Sequence, residues 1–187
     1  MKLRSLPALL ALAICLPASA QFAVYGKFDA LRLNAATVGS AGQSVTWFTG
    51  PGGGIYYDFV HFGPLSLGVD LRGNILFAQQ QKYRSGLLGI RLAANPPVLP
   101  IRPFIQGSVG AGGSRFNVAP IGGTSNYSYS TKFQYEVLAG LDYTLLPHFD
   151  VRLAEIGYGR MSGISSTANA PNATLFTISA GVVLRIH

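Results

Sequence analysis

Along most of this chain apolar and polar residues alternate with a period of two. Residues 177–186 show it most cleanly: Ile178, Ala180, Val182, Leu184 and Ile186 are apolar, while Thr177, Ser179, Gly181 and Arg185 fall between them. A period of two belongs to a strand with one apolar and one polar face. About ten such residues are enough for a tilted strand to cross a bilayer.

The signature recurs upstream. In 22–33, Phe22, Val24, Phe28 and Ala30 share one face while Lys27 and Asp29 share the other. In 55–62, Ile55, Tyr57 and Phe59 oppose Tyr56 and Asp58, and in 65–74, Leu65, Leu67, Val69 and Leu71 oppose Ser66, Gly68, Asp70 and Arg72. Next, Leu88, Ile90 and Leu92 oppose Gly89 and Arg91; Ile105, Val109 and Ala111 then oppose Gln106, Ser108, Gly110 and Gly112. From 133 to 143 the alternation is unbroken except for Leu138, an apolar residue on the polar face. In 149–158 the phase slips, and a bulge near Ala154 would keep Glu155 off the apolar face. With the last run this makes eight strands, and no sustained helical period follows the N-terminus. The predicted fold is all-β: an eight-stranded antiparallel up-and-down transmembrane β-barrel over 21–187.

The connections are expected to alternate in length, with short turns at 63–64, 95–100 and 146–148 and longer loops at 34–53, 77–84, 113–131 and 160–173. Short periplasmic turns and long outer loops are the habit of membrane barrels. Gly50-Pro-Gly-Gly-Gly54 reads as a loop hinge, and the glycines of 107–113 as a strand lining.

Composition sharpens this picture. Hydrophobic residues make up 49% of the chain and charged residues only 11%, a balance unusual for a soluble helical protein. Residues 1–20 read as a cleaved signal peptide: Lys2 and Arg4 start it, an apolar stretch 6–16 follows, and Ala18-Ser19-Ala20 precedes the cut. The only cysteine, Cys15, lies inside this signal, so the exported chain carries no disulfide.

Charge assigns the faces, because Arg or Lys turned toward lipid costs about 2–4 kcal/mol at the midplane. All seven acids fall on the polar face: Asp29, Asp58, Asp70, Glu136, Asp142, Asp150 and Glu155. Lys27, Arg72, Arg91, Arg152 and Arg185 join them, so an interior charge network is expected, with inward glycines at 68, 89, 110, 112, 140 and 181 making room for it. Arg32, Lys82, Arg84, Arg115, Lys132 and Arg160 lie in or beside the long loops, and Arg102 after a short turn. Lys82, Arg84, Arg115 and Lys132 are the candidate contacts for anionic outer-membrane lipid and glycolipid. Trp47, Phe48, Tyr83, Tyr127, Phe133 and Tyr158 are candidates for an outer aromatic girdle, and Phe62, Phe104, Tyr143 and Phe149 for an inner one.

The chain resembles the small outer-membrane β-barrel proteins, the eight-stranded domains similar to the membrane part of OmpA and to OmpX. The resemblance rests on Ala18-Ser19-Ala20, on Phe22-Ala-Val-Tyr-Gly-Lys-Phe-Asp29, on Pro103-Phe-Ile-Gln-Gly-Ser-Val-Gly-Ala-Gly112 and on Gly181-Val-Val-Leu-Arg-Ile-His187. It implies an outer membrane of the Gram-negative type and recognition of the last strand by the barrel assembly machinery. The aromatic that usually ends that strand is replaced in phase by Ile186. The soluble peptidoglycan-binding domain of full-length OmpA-like proteins is not expected.

Chemistry is sparse. His61, His148 and His187 all fall at the predicted periplasmic end, away from the serine-rich outer loops, so no Ser-His-acid set forms and no metal spacing is recognisable. The glycine clusters lack the Lys-Ser/Thr of a phosphate loop, and the excess positive charge is spread over separate loops rather than gathered in one nucleic-acid groove. The sequons at Asn126 and Asn172 mark only exposed loops. A non-enzymatic, cofactor-free barrel serving envelope integrity, surface interaction or very limited porin-like solute passage is therefore expected. A soluble lipocalin-like barrel around an apolar ligand, and an outer-membrane lipid-modifying enzyme, are the alternatives.

Overall fold

The structure, a computed structural model, describes residues 21–36, 43–79, 81–96, 98–117, 127–162 and 173–186, with the side chains of 35–36, 43–44, 114–117 and 127–130 left aside. The signal segment, His187 and both sequon asparagines lie outside the described residues.

Eight strands close on themselves in sequence order: β1 (Gln21–Ala36), β2 (Gln43–Phe62), β3 (Leu65–Ala78), β4 (Gln81–Ala94), β5 (Ile101–Asn117), β6 (Tyr127–Leu146), β7 (Phe149–Ser162) and β8 (Ala173–Ile186). Every neighbouring pair is antiparallel, and β8 returns to β1 with Val24 opposite Leu184 and Phe28 opposite Ala180. Closure leaves no unpaired edge, which is what a sheet in hydrocarbon requires.

The face that charge assigns to lipid is the one that turns outward. Phe28, Ile90, Val137 and Tyr158 are among the large apolar side chains exposed on the wall, while the acids of the same strands are buried. At β7 the register slips between Arg152 and Glu155, with Leu153 and Ala154 both outward; this is the bulge that returns Glu155 to the interior. Leu138 points inward with the polar face, as its phase requires.

The strands run farther than the alternating stretches suggest. Both β2 and β6 contain 20 residues, about twice the length needed to cross hydrocarbon. Most of the expected loops 34–53, 77–84 and 113–131 is accordingly strand, and of 160–173 the residues 160–162 and 173 are. Between β3 and β4 only residues 79–80 intervene, so the strict alternation of loop length does not hold. The Gly50–Gly54 cluster is no hinge: it lies inside β2, paired with β1 through Gly54–Tyr25 and Gly52–Lys27. Glycine is needed at Gly54, where a Cβ would collide with the backbone carbonyl of Leu71. Gly63, at φ +59°, forms the tight turn between β2 and β3.

Candidate functional site

Side chains fill the cylinder in three layers. At the loop end, Leu31, Leu33, Phe48, Leu76, Tyr83, Met161, Ala173 and Leu175 form an apolar cap. Two residues expected in the outer girdle, Phe48 and Tyr83, thus lie inside, and so does Phe104 of the expected inner girdle. Counting by two along each strand explains the correction: Phe48 is in phase with Tyr56 through the glycines of β2, Tyr83 with Arg91, and Phe104 with Gln106. Trp47, Phe133 and Tyr158 are exposed on the wall near the loop end, and Phe62 near the turns. The side chain of Tyr127 lies outside the described residues.

Below the cap lies a continuous chain of charges. Arg91 contacts Asp58 at 3.4 Å and Asp142 at 3.3 Å; Asp142 binds Arg152 at 2.8 Å, and Arg152 reaches Glu155 at 2.8 Å. Glu155 also meets Lys27 at 2.7 Å and Arg72 at 3.0 Å, and these two cations continue to Asp29 at 3.0 Å and Asp70 at 2.9 Å. Tyr25 donates its hydroxyl to Asp70, while Gln106 donates to Asp70 and accepts from Arg72. The guanidinium of Arg91 lies 4.0 Å from the Tyr56 ring centre and 4.5 Å from that of Phe104. Arg152 stacks on Tyr25 at 4.5 Å and Phe104 at 4.6 Å. Aromatic faces and carboxylates around each guanidinium offset part of the cost of burying it, although Arg91 Nε has no hydrogen-bond partner.

A separate triad closes the turn end, where Asp150 is shared by Arg102 and Arg185. Arg102, which the sequence places merely after a short turn, therefore belongs to the interior. Glu136 is buried as well, yet among the described residues it makes no ion pair within 4.0 Å. All seven acids of the chain are thus interior.

The outward face near the loop end carries cations instead. Arg32, Arg84 and Arg160 are exposed, with Arg32 opposite Trp47 and Phe176, and Arg160 opposite Tyr135. Lys82 also points outward, 5.0 Å from the Phe77 ring centre. Arg115 is its register partner on β5, and its side chain lies outside the described residues. Lys132 does not share this face: it is half-buried and in phase with the inward Gln134 and Glu136. Among the described residues no His/Cys/Asp/Glu group could hold a metal ion. His61 and His148 stand at the turn end, opposite the cationic face.

Residues 6–184 match the family model described as outer membrane protein beta-barrel domain. Among solved structures, Neisserial surface protein A is similar at 20% identity, covering 87% of this chain and 97% of that one with a TM-score of 0.51. Ail, the attachment invasion locus protein of Yersinia pestis, crystallised with the heparin analogue sucrose octasulfate, is similar at 16% identity with a TM-score of 0.55, covering 89% and 99%. The outer membrane enzyme PagL aligns at 13% identity with a TM-score of 0.47, covering 82% and 97%. No curated protein matches the chain.

Proposed function

Since the chain belongs to the outer membrane protein β-barrel domain family, we propose that it is a sealed surface barrel whose loop-end wall holds phosphorylated glycolipid of the outer leaflet. On this reading it serves envelope integrity and surface contact, without enzymatic activity and without solute transport. One observation carries the reading: every acid of the chain is inside, so no acid accompanies Arg32, Lys82, Arg84 and Arg160 on the outward face. Near the interface an outward cation costs about 0–1 kcal/mol, against about 2–4 kcal/mol at mid-bilayer. An anionic lipid surface returns about 1 kcal/mol per basic residue. Exposed Trp47, Phe77, Tyr135 and Tyr158 suit the same headgroup level. A packed lumen and an outer rim with no described acid or histidine support a non-catalytic role.

Export through a signal cut after Ala20, and delivery of the last strand to the barrel assembly machinery with Ile186 outward, belong to the same proposal. The test is retention of phosphorylated glycolipid by protein refolded in nanodiscs, with sucrose octasulfate as a soluble polyanion competitor. Replacing Arg32, Lys82, Arg84, Arg115 and Arg160 by Gln is expected to cut retention about tenfold or more, the loss of several contacts worth about 1 kcal/mol each. Lys132→Gln, on the lumen-facing phase, is expected to change little. Unaltered retention in the fivefold variant would reduce the cationic face to solvated charge.

A further inference from the structure

The turn end, which faces the periplasm in this fold, encloses a cavity of about 370 Å³ whose lining includes Gln21, His61, Asn95, Leu99, Arg102 and Arg185. Two nearly buried guanidiniums reach it, with Arg102 at 7% and Arg185 at 8% exposure. They share a single carboxylate: Arg102 Nη1 lies 3.5 Å from Asp150 Oδ2, and Arg185 Nη2 lies 2.9 Å from Asp150 Oδ1. The deeper carboxylates Asp58 and Asp142 are engaged by Arg91 and Arg152. Within this triad two cations face one anion.

The two arginines are held differently. Arg102 is fixed through Nε, which donates to Asn95 Oδ1, and Nη2, which donates to Gln21 Oε1 at 2.9 Å, while its buried Nη1 makes no hydrogen bond. The Arg185 side chain donates through Nη2 to Asp150, and its buried Nε has no hydrogen-bond partner. A guanidinium beside an open cavity suits an oxyanion. A singly charged group balances the mouth, whereas a dianion would meet Asp150. Leu99 and Pro96 on the β4–β5 turn supply an apolar flank for the body of an organic acid.

We propose that this mouth binds a carboxylate, either of a small free acid or at the end of a periplasmic peptide, held by Arg185 with Arg102 as its fixed neighbour. The site is independent of the glycolipid-contacting face and lies at the opposite end of the barrel. It is tested by NMR titration of the refolded protein in zwitterionic micelles with acetate, an N-acetylated dialanine, the C-terminal amide of that peptide, and inorganic phosphate. The free-acid peptide is expected to bind saturably and to shift signals of Arg102, Arg185 and Leu99, with the amide about tenfold weaker or worse, as loss of a charge-assisted bond implies. Acetate binding as tightly as the peptide assigns the site to free acids; much weaker acetate assigns it to peptide ends. Arg185→Gln should abolish binding. Leu99→Asp, at an exposed turn position that leaves the barrel intact, should weaken it by placing a like charge at the rim. Equal binding of acid and amide, a preference for phosphate, or no saturable binding overturns the proposal.

Discussion

The sharpest consequence of the interior arrangement concerns Arg152. In the continuous network five carboxylates (Asp29, Asp58, Asp70, Asp142, Glu155) face four cations (Lys27, Arg72, Arg91, Arg152), a net charge of −1. Arg152→Met keeps the volume of the stem but removes two bonds to Asp142, one to Glu155 and two aromatic stacks. Five carboxylates then face three cations, leaving a buried net charge of −2. Removing one partner of a buried pair costs about 3–5 kcal/mol, and the expected loss lies in that range. Asp142→Asn added to Arg152→Met restores a net charge of −1, so the double variant should recover at least about 1.5 kcal/mol relative to the sum of the single changes. The assay is equilibrium urea unfolding in lipid vesicles, followed by fluorescence of Trp47, the only tryptophan, which is exposed on the wall. A single-variant loss below about 1 kcal/mol, or additivity of the two substitutions within about 0.5 kcal/mol, would refute the claim that ion pairing holds this interior together.

Two further outcomes follow from the same packing. Glu136→Gln should leave stability unchanged or raise it by up to about 1 kcal/mol in the same unfolding assay, because it relieves a buried carboxylate that makes no ion pair among the described residues; a loss comparable to that of Arg152→Met would show that Glu136 has a cationic partner after all. In planar bilayers the protein should give no stepwise current, since the apolar cap around Phe48, Leu76 and Tyr83 and the charge network beneath it fill the lumen. Reproducible single-channel steps would mean that this interior opens.

Period-two alternation, read with the cost of turning a charge toward lipid, was enough to determine the eight strands, the outward face, the inward position of all seven acids and the bulge before Glu155. Those features depend only on parity along one strand, which is local information. The inward residues Leu31, Leu33, Phe48, Tyr83 and Phe104 were within reach of the same parity count. Phe48, Tyr83 and Phe104 read as girdle aromatics because aromatic character alone suggests an interfacial position, and the glycines between Phe48 and Tyr56 carry no hydrophobic signal. Partner choice is different in kind. Whether Arg152 meets Asp142, whether Glu155 gathers Lys27 and Arg72 from strands far away in sequence, and whether Arg102 and Arg185 share Asp150 depend on register, tilt and closure of the whole sheet. These set the height of each side chain inside the cylinder, and parity says nothing about height. Tertiary structure alone therefore decided that an apolar cap closes the lumen at the loop end and that Arg102 and Arg185 share one carboxylate at the turn end.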